Sequence, residues 1–241
     1  MQLKPIKTRI FKEGESLPDF LFVNIKSLKE GSVVVVSSKI VALAEGRVVV
    51  FKTEKEKIEA IKKESELSFP DLKNNPKRWF TLVAGMLTTL AGIDESNGNG
   101  KSIFLPKDSF KSATSLLKKI QNHYKIKNVG VVIADSRSIP LRRGILGQAI
   151  GYAGFKGLGD YRGQKDLFGR KIKYARPNVA DTLAGACVLL MGESGESKPL
   201  CVIENAPVKF SISTNKKELV VPLKEDKFGN FYKEIVRRKI I

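Results

Sequence analysis

The stretch VVVVSSKIVALAEG, residues 33–46, contains both kinds of element from which the fold is built. Four consecutive valines, Val33 to Val36, are typical of a buried β-strand, because β-branched side chains pack well on a sheet surface. Ser37 to Lys39 break this run, and the apolar residues Ile40 to Ala44 predict a short helix that stops at Gly46. Two serines at the start of a helix suit either a phosphate site or an ordinary helix N-cap.

The rest of the chain alternates between strands and helices without the even rhythm of a doubly wound fold, which predicts an α+β protein of mixed sheets with packed helices. We expect an exposed amphipathic helix over residues 52–67, a helix over 109–124 capped by Ser109 or Ser112, and an apolar helix that begins near Asp181 and stops at Gly192. We also expect strands over residues 128–135 and 199–205, a loop with two prolines over 68–79, and a terminal helix over 228–239.

Composition narrows the class of protein. A length of 241 residues suits one large domain or two small lobes. The sequence contains no run of about 18 apolar residues, so we expect no membrane-spanning helix. Cys187 and Cys201 lie in apolar runs and read as core residues of a cytoplasmic protein. The net charge of +18 attracts polyanions such as nucleic acid, anionic lipid or phosphorylated small molecules. There is neither a basic block nor an aromatic–basic alternation, which disfavours nucleic acid.

Three acidic residues share one pattern, since each ends an apolar run and enters a loop that contains glycine or serine. They are Asp94, Asp135 and Glu193, with Ser136 beside the second and Asn97 three residues after the first. Such oxygen donors at the ends of rigid elements suit a hard cation. The same residue types are also the commonest turn residues, so each position alone fits a turn as well.

A glycine-rich loop, GDYRGQKDLFGRK over residues 159–171, carries a cluster of cations. Such a loop can clamp phosphate or carboxylate groups, or it can be a basic hairpin. Its charged candidates are Arg162, Lys165, Arg170 and Lys171.

Four segments, in this order, resemble the coenzyme F420-0:γ-glutamyl ligase family over about residues 30–205. They are VVVVSSKIVALAEGRVV (33–49), LAGIDESNG (90–98), GVVIADSRSIPLRRGILGQAIGYAGFKGLGDYRGQKDLFGRKI (130–172) and VADTLAGACVLLMGE (179–193). The resemblance implies one ligase unit over residues 1–241 with the family's unusual two-lobed α+β fold, assembled as an intertwined homodimer.

The activity implied by the resemblance is a GTP-dependent ligation. It forms an amide between the amino group of L-glutamate and a carboxylate of coenzyme F420-0 through an acyl phosphate, and it uses Mg²⁺ or Mn²⁺ at two sites, with K⁺ as a further candidate cation.

The family's functional positions can be carried over one by one onto this sequence. The implied metal ligands are Asp94, Asp135, Ser136 and Glu193. The implied nucleotide contacts are Ser38, Lys39, Asn97, Ser194 and Gly195. We assign catalytic roles to Asp135, Arg142 and Arg143, and name Arg162, Lys165 and Arg170 as candidates for phosphate or substrate binding.

The chain departs from the family pattern at a few positions. After the aspartate the family continues Thr-x-Gly-Arg, whereas here Ser136 is followed by Arg137, Ser138 and Ile139. A nucleotide-contacting lysine of the family corresponds to Leu43. These departures keep two alternatives open: the same ligase chemistry on a folate or pterin acceptor, and a nucleotide-binding homologue without ligase activity.

Overall fold

A computed structural model of the protein describes residues 1–71, 75–222 and 224–230. The helices are α1 Leu17–Asn24, α2 Ser38–Ala44, α3 Glu54–Glu64, α4 Ser109–Tyr124 and α5 Val179–Met191. The strands are β1 Gln2–Ile6, β2 Ser32–Ser37, β3 Val48–Val49, β4 Leu67–Asp71, β5 Asn75–Val83, β6 Met86–Thr89, β7 Ser102–Ile103, β8 Val129–Ser138, β9 Ile145–Ala153 and β10 Leu200–Glu204. The predicted α+β class with mixed sheets is confirmed.

The chain forms two compact units, of which the first contains residues 1–50 and 94–218. Its core is a five-stranded sheet in the order β1-β10-β2-β8-β9, in which β2 and β8 run parallel and the other pairs are antiparallel. Val33 to Val36 are fully buried in β2, as the valine run predicted. Each such side chain contributes about 1.5–3 kcal/mol relative to an exposed one.

Helices α4 and α5 pack against β8 and β9 and bury the sheet. Glycines allow this close approach. A Cβ at Gly147 in β9 would lie 2.5 Å from the Cβ of Val188 in α5, and one at Gly151 would lie 2.5 Å from the backbone of Ser109 in α4. Cys187 and Cys201 are buried free thiols in this core, which confirms their expected place.

The second unit contains residues 51–93 with the described residues from 219 onward. It is built from α3, the antiparallel sheet β4-β5-β6 and a 3-10 turn at Leu90–Gly92. The exposed amphipathic helix predicted over 52–67 is therefore present over a shorter range, since Thr53 caps its start by accepting the N–H of Glu56.

Several local predictions were wrong. Of the segment expected to be a two-proline loop, residues 68–71 lie in β4 and residues 75–79 in β5. Pro70 is tolerated because β4 is an edge strand of this sheet, where a proline needs no ladder N–H. The cap of α4 is Asp108, which accepts the N–H of Lys111, and neither Ser109 nor Ser112 takes this role. Most of the terminal helix predicted over 228–239 lies outside the described residues.

The strand predicted to end at Asp135 continues to Ser138, because β9 pairs with β8 from Val131 as far as Ser138. The apolar helix near Asp181 is confirmed as α5, which stops before Gly192. In the described part of the chain, none of the helices combines the length and the apolar character needed to cross a lipid bilayer.

Candidate active site

The site begins where β2 ends beside β8. Because these strands are parallel and their last pair joins Ser37 with Ala134, the residues that follow Ser37 and those that follow Ala134 lie next to each other. Helix α2 starts there, and the Oγ of Ser38 donates a hydrogen bond of 2.5 Å to Oδ1 of Asp135. The N-cap residue Ser37 makes no side-chain capping bond. The two serines therefore do not act as an ordinary side-chain cap, since Ser37 makes no capping bond and the hydroxyl of Ser38 binds the predicted metal ligand Asp135.

The Asp135 carboxylate is nearly buried, with 18% of its side chain exposed. Burial raises its pKa above the ordinary value of 3.8, and the negative charge of Asp94 adds to this. The hydrogen bond from Ser38 and the guanidinium of Arg137, whose Nε lies 3.7 Å from Oδ2, act in the opposite direction. Two carboxylates from distant segments are thus close enough to repel each other.

The negative charge of Asp94 is partly neutralised by the ammonium group of Lys39. The Nζ of Lys39 lies 2.8 Å from Oδ2 of Asp94 and donates to the Oγ of Ser96 at 2.7 Å, while the Ser96 N–H donates to Oδ1 of Asp94. Burial works to raise the pKa of Asp94, but the lysine and the serine outweigh it, and the pKa falls below its usual value. A predicted metal ligand and a predicted nucleotide contact are therefore in direct contact.

The segment that follows α5 also contacts the residues around Asp135 and Asp94. The Oγ of Ser136 donates to Oε1 of Glu193 at 2.6 Å, and the Nδ2 of Asn97 donates to the carbonyl of Ser194 at 3.1 Å. The segments around Asp94, Asp135 and Glu193 are thus linked by hydrogen bonds. Since successive strand residues point to opposite faces, Ser136 faces away from the side taken by Asp135.

The donor set suits a hard cation by its chemistry. Asp94 and Asp135 supply hard oxygen ligands. Burial destabilises the charged form of Asp135, and a bound divalent cation would stabilise that charge. Within the described ranges, no three His, Cys, Asp or Glu side chains are already grouped around one point in the way a metal site needs. The two carboxylates are instead held by Lys39 and Arg137.

The remaining predicted residues are exposed. Arg142 and Arg143 lie in the turn between β8 and β9, and Gly195 lies in the exposed segment after α5. Among the described residues, no hydrogen bond or ion pair joins the side chains of Arg142 and Arg143 to the cluster of Asp94 and Asp135.

The glycine-rich loop is a hairpin, with a bridge between Lys165 and Lys171. Its Arg162 is held by Asp160 through Nε at 2.9 Å and Nη2 at 2.6 Å, and the backbone N–H of Arg170 donates to Asp166. The backbone of this loop therefore has the hairpin form that the sequence left open as one of two alternatives. Its tip carries Leu167 and Phe168, which are 97% and 88% exposed.

Sequence reasoning missed a cavity of about 360 Å³ on the other side of β9. It is lined by residues 146–148 of β9, by Asp181, Thr182 and Gly185 of α5, and by Ile139. No motif marked it, because its lining residues in β9 and those in α5 are more than thirty positions apart in the chain. Of its lining residues, only Asp181, near a helix start, and Ile139, a departure from the family pattern, stood out in the sequence.

Comparisons with known proteins define the class. The chain matches the family described as F420-0:Gamma-glutamyl ligase over residues 5–205. A coenzyme F420:L-glutamate ligase of Methanococcus maripaludis (strain C7) is 38% identical over 215 residues, which cover 83% of this chain and 86% of that protein. The ligase of the same name from Methanocaldococcus jannaschii is 32% identical over 235 residues, 92% and 94% of the two chains. That from Archaeoglobus fulgidus is 34% identical over 219 residues, 83% and 85%.

The protein is therefore an enzyme of the ligase class. More specifically, the chain belongs to the F420-0:γ-glutamyl ligase family, as the four sequence segments predicted.

Proposed function

We propose that the protein ligates L-glutamate to a carboxylate of coenzyme F420-0, with GTP as co-substrate and Mg²⁺ or Mn²⁺ as cofactor. The names of the relatives support the two organic substrates. One observation carries the proposal for this chain: the neighbouring residues Ser38 and Lys39 contact Asp135 at 2.5 Å and Asp94 at 2.8 Å, so two carboxylates 41 positions apart meet at the start of α2. A site that brings two carboxylates together is suited to a divalent cation.

The chain's own ligands for the cations are Asp94, Asp135, Ser136 and Glu193. Because Asp135 and Ser136 lie on opposite faces of β8, we assign them to two different sites, one with Asp94 and one with Glu193. K⁺ is a further candidate cation. When bound, the divalent cations neutralise the charge that develops on a transferring phosphoryl group.

The nucleotide contacts surround the same cluster. Ser38 and Lys39 start α2 beside Asp135 and Asp94, and Asn97 reaches the backbone of Ser194, next to Gly195. Lys39 is the one cation of this set, and it can exchange its contact with Asp94 for a phosphate oxygen once a divalent cation occupies the carboxylate. We therefore place the GTP phosphates between α2 and the segment that follows α5.

The reaction needs an activated carboxylate, because a carboxylate does not react with an amine at neutral pH. An acceptor carboxylate oxygen bonds to the γ-phosphorus of GTP, GDP leaves, and an acyl phosphate results. The glutamate nitrogen then attacks the acyl carbon, phosphate leaves, and the nitrogen loses its proton. Catalysis of this kind rests on positioning and charge neutralisation, for which the candidates are Arg142, Arg143, Arg162, Lys165 and Arg170.

We also propose a homodimer that works in the cytoplasm. The hairpin tip supports the dimer, since Leu167 and Phe168 leave two large apolar side chains almost wholly in water. A second copy of the chain would cover them. Two buried free cysteines agree with a reducing compartment.

A folate or pterin acceptor is the second candidate. It is favoured by the segment after Asp135, where Ser138 and Ile139 replace the family's glycine and arginine and Ile139 lines the cavity next to the site. A changed cavity wall can change the acceptor without changing the phosphoryl chemistry.

The experiment that tests the proposal incubates the protein with GTP, Mn²⁺ and L-glutamate, and with either coenzyme F420-0 or folate. GDP release and a product heavier by one glutamyl residue are the expected results. No GDP release with any acceptor would contradict the ligase mechanism. Asp135→Ala should abolish metal-dependent turnover in a protein that still folds, and unchanged turnover would overturn the role of Asp135.

A further inference from the structure

The guanidinium group of Arg137 is buried without hydrogen bonds. Its side chain is 2% exposed, and none of its three nitrogens has a hydrogen-bond partner among the described residues. Buried polar groups in native proteins are almost always satisfied, so such an exception points to a functional role. Because the three nitrogens are closed off from solvent, this arginine is not placed to touch a substrate. Its role has to act through a neighbouring protein group.

That neighbour is the predicted metal ligand Asp135. The two residues are two positions apart in β8, so their side chains leave the strand on the same face. The Nε of Arg137 lies 3.7 Å from Oδ2 of Asp135, whereas Ser38 donates its hydrogen bond to Oδ1. The charge of Asp135 stabilises the buried guanidinium more than that of Asp181, the other acid that acts on it. Arg137 is therefore a fixed positive charge beside a carboxylate that the proposed function assigns to a divalent cation.

The second carboxylate of the site has a different kind of partner. Lys39 lies 2.8 Å from Asp94, but the lysine side chain is 28% exposed, against 2% for Arg137. A partly exposed ammonium on a flexible stem can move to a phosphate oxygen, whereas a buried guanidinium stays in place. With both carboxylates ionised, the charges of these two acids and two cations sum to zero. A divalent cation that enters alone therefore meets no net negative charge from the four groups.

We propose that Arg137 weakens the binding of a divalent cation to the nucleotide-free site, so that the cation is held there only together with the polyphosphate of the nucleotide. The inference rests on the proposed ligase function and deepens it. A positive charge beside a ligand carboxylate repels a cation bound to that carboxylate and attracts the oxygens of a phosphate chain. The nucleotide supplies the negative charge that the four protein groups lack. The cation then arrives and leaves with the nucleotide instead of occupying the empty site.

Two neutral variants and one charged variant test this role. Arg137→Met keeps an unbranched side chain in the core and removes the charge, and Arg137→Gln removes the charge but keeps a polar end. Arg137→Lys keeps the charge and loses the planar fork. Arg78→Met is the matched control, since it lowers the net charge equally. Arg78 also lies beside a nearly buried carboxylate, that of Asp71 at 3.6 Å, but in the second compact unit.

The readouts are the dissociation constants of Mn²⁺ without nucleotide and of GDP without metal, measured by calorimetry at about pH 8 to keep the carboxylates ionised. The two neutral variants should bind Mn²⁺ roughly 10-fold more tightly and metal-free GDP more weakly by a similar factor, the size of a charge–charge interaction that water partly screens. Arg137→Lys and Arg78→Met should bind both ligands as the wild type does.

The opposite signs of the two changes distinguish this role from a structural one. An arginine that only orients Asp135, or only supports the fold, would leave the neutral variants with weaker Mn²⁺ binding, and that result overturns the inference. The wild type gives a further test that needs no variant. Its Mn²⁺ affinity should be at least about 10-fold higher in the presence of GDP, and equal affinities overturn the inference.

The inference and the proposed function can fail separately. If the wild type releases no GDP with any acceptor while the neutral variants show the two opposite shifts, the ligase proposal alone is contradicted. If the wild type turns over and Arg137→Met binds Mn²⁺ no more tightly than the wild type, the role of Arg137 alone is overturned.

Discussion

Ser38 and Asp135, 97 positions apart in the chain, are joined by a hydrogen bond of 2.5 Å between a hydroxyl and a carboxylate. The bond links the first turn of α2 to the inner strand β8. It also opposes the rise in pKa that burial imposes on Asp135.

Removal of the Ser38 hydroxyl should weaken metal binding. In Ser38→Ala the pKa of Asp135 rises further, because the carboxylate loses a hydrogen bond that favours its charged form. We expect roughly 10-fold weaker Mn²⁺ binding at neutral pH, measured by calorimetry. Ser112→Ala is the matched control, since Ser112 donates a similar bond of 2.6 Å to Glu45 away from the site. Equal effects of the two substitutions would contradict the prediction.

Metal affinity should fall as the pH falls through the raised pKa of Asp135. The ligand is the ionised carboxylate, and its pKa lies above 3.8, so protons compete with the cation at a higher pH than for an exposed aspartate. Binding of Mn²⁺ in this range should release a proton, which calorimetry in buffers of different ionisation enthalpy detects. Asp135→Asn should abolish this proton release. Release that persists in the variant would assign the proton to another group.

A side chain at Gly147 should separate α5 from the sheet. In Gly147→Ala the new methyl group would lie 2.5 Å from the Cβ of Val188 and 2.8 Å from the carbonyl of Ala184, and neither can move freely. We expect the free energy of unfolding to fall by about 1–3 kcal/mol, measured by urea denaturation. Gly195→Ala, where a Cβ meets nothing within 4 Å, should leave the denaturation midpoint unchanged. An equal loss of stability in both variants would contradict the prediction, because it would show that replacing any glycine, and not the clash with α5, lowers the stability.

The hairpin tip should hold the proposed dimer together. Leu167→Asp places a charge on the most exposed apolar side chain of the hairpin, so sedimentation should detect a shift from dimer to monomer at micromolar concentration. Ile212→Asp is the control, because Ile212 is also fully exposed but lies elsewhere on the same unit. A Leu167→Asp protein that sediments like the wild type would exclude the tip from the interface.

The two cysteines should be unreactive in the folded protein. A hydrogen bond with Cys201 together with burial raises the pKa of the Cys187 thiol. The same bond lowers the pKa of the Cys201 thiol, so the protection of Cys201 rests on its complete burial, which keeps a reagent away from both sulfurs. A disulfide reagent added at neutral pH should therefore label neither cysteine until denaturant unfolds the chain. Rapid labelling of the native protein would show that one of the thiols reaches the surface.

Some features follow from the sequence alone because they depend on neighbours in the chain. The valine run predicts β2, the apolar segment after Asn178 predicts α5, and four ordered segments predict the family. Acidic residues at the ends of apolar runs indicated Asp94, Asp135 and Glu193 as a set. The prediction of a loop over residues 68–79 was wrong because it used only the local proline content. The pairing of β4 with β5 depends on contacts between two strands, which local composition does not show.

Other features were decided by the tertiary structure. Parallel pairing of β2 with β8 brings Ser38 to Asp135, and the antiparallel register of β8 with β9 sets Leu146 opposite Arg137. Nothing near Arg137 in the chain says that its guanidinium is buried, since burial depends on which strand and helix cover it. The sequence thus determined which chemical groups are available, whereas sheet register decided which of them meet, because contacts between distant segments depend on the packing of whole elements.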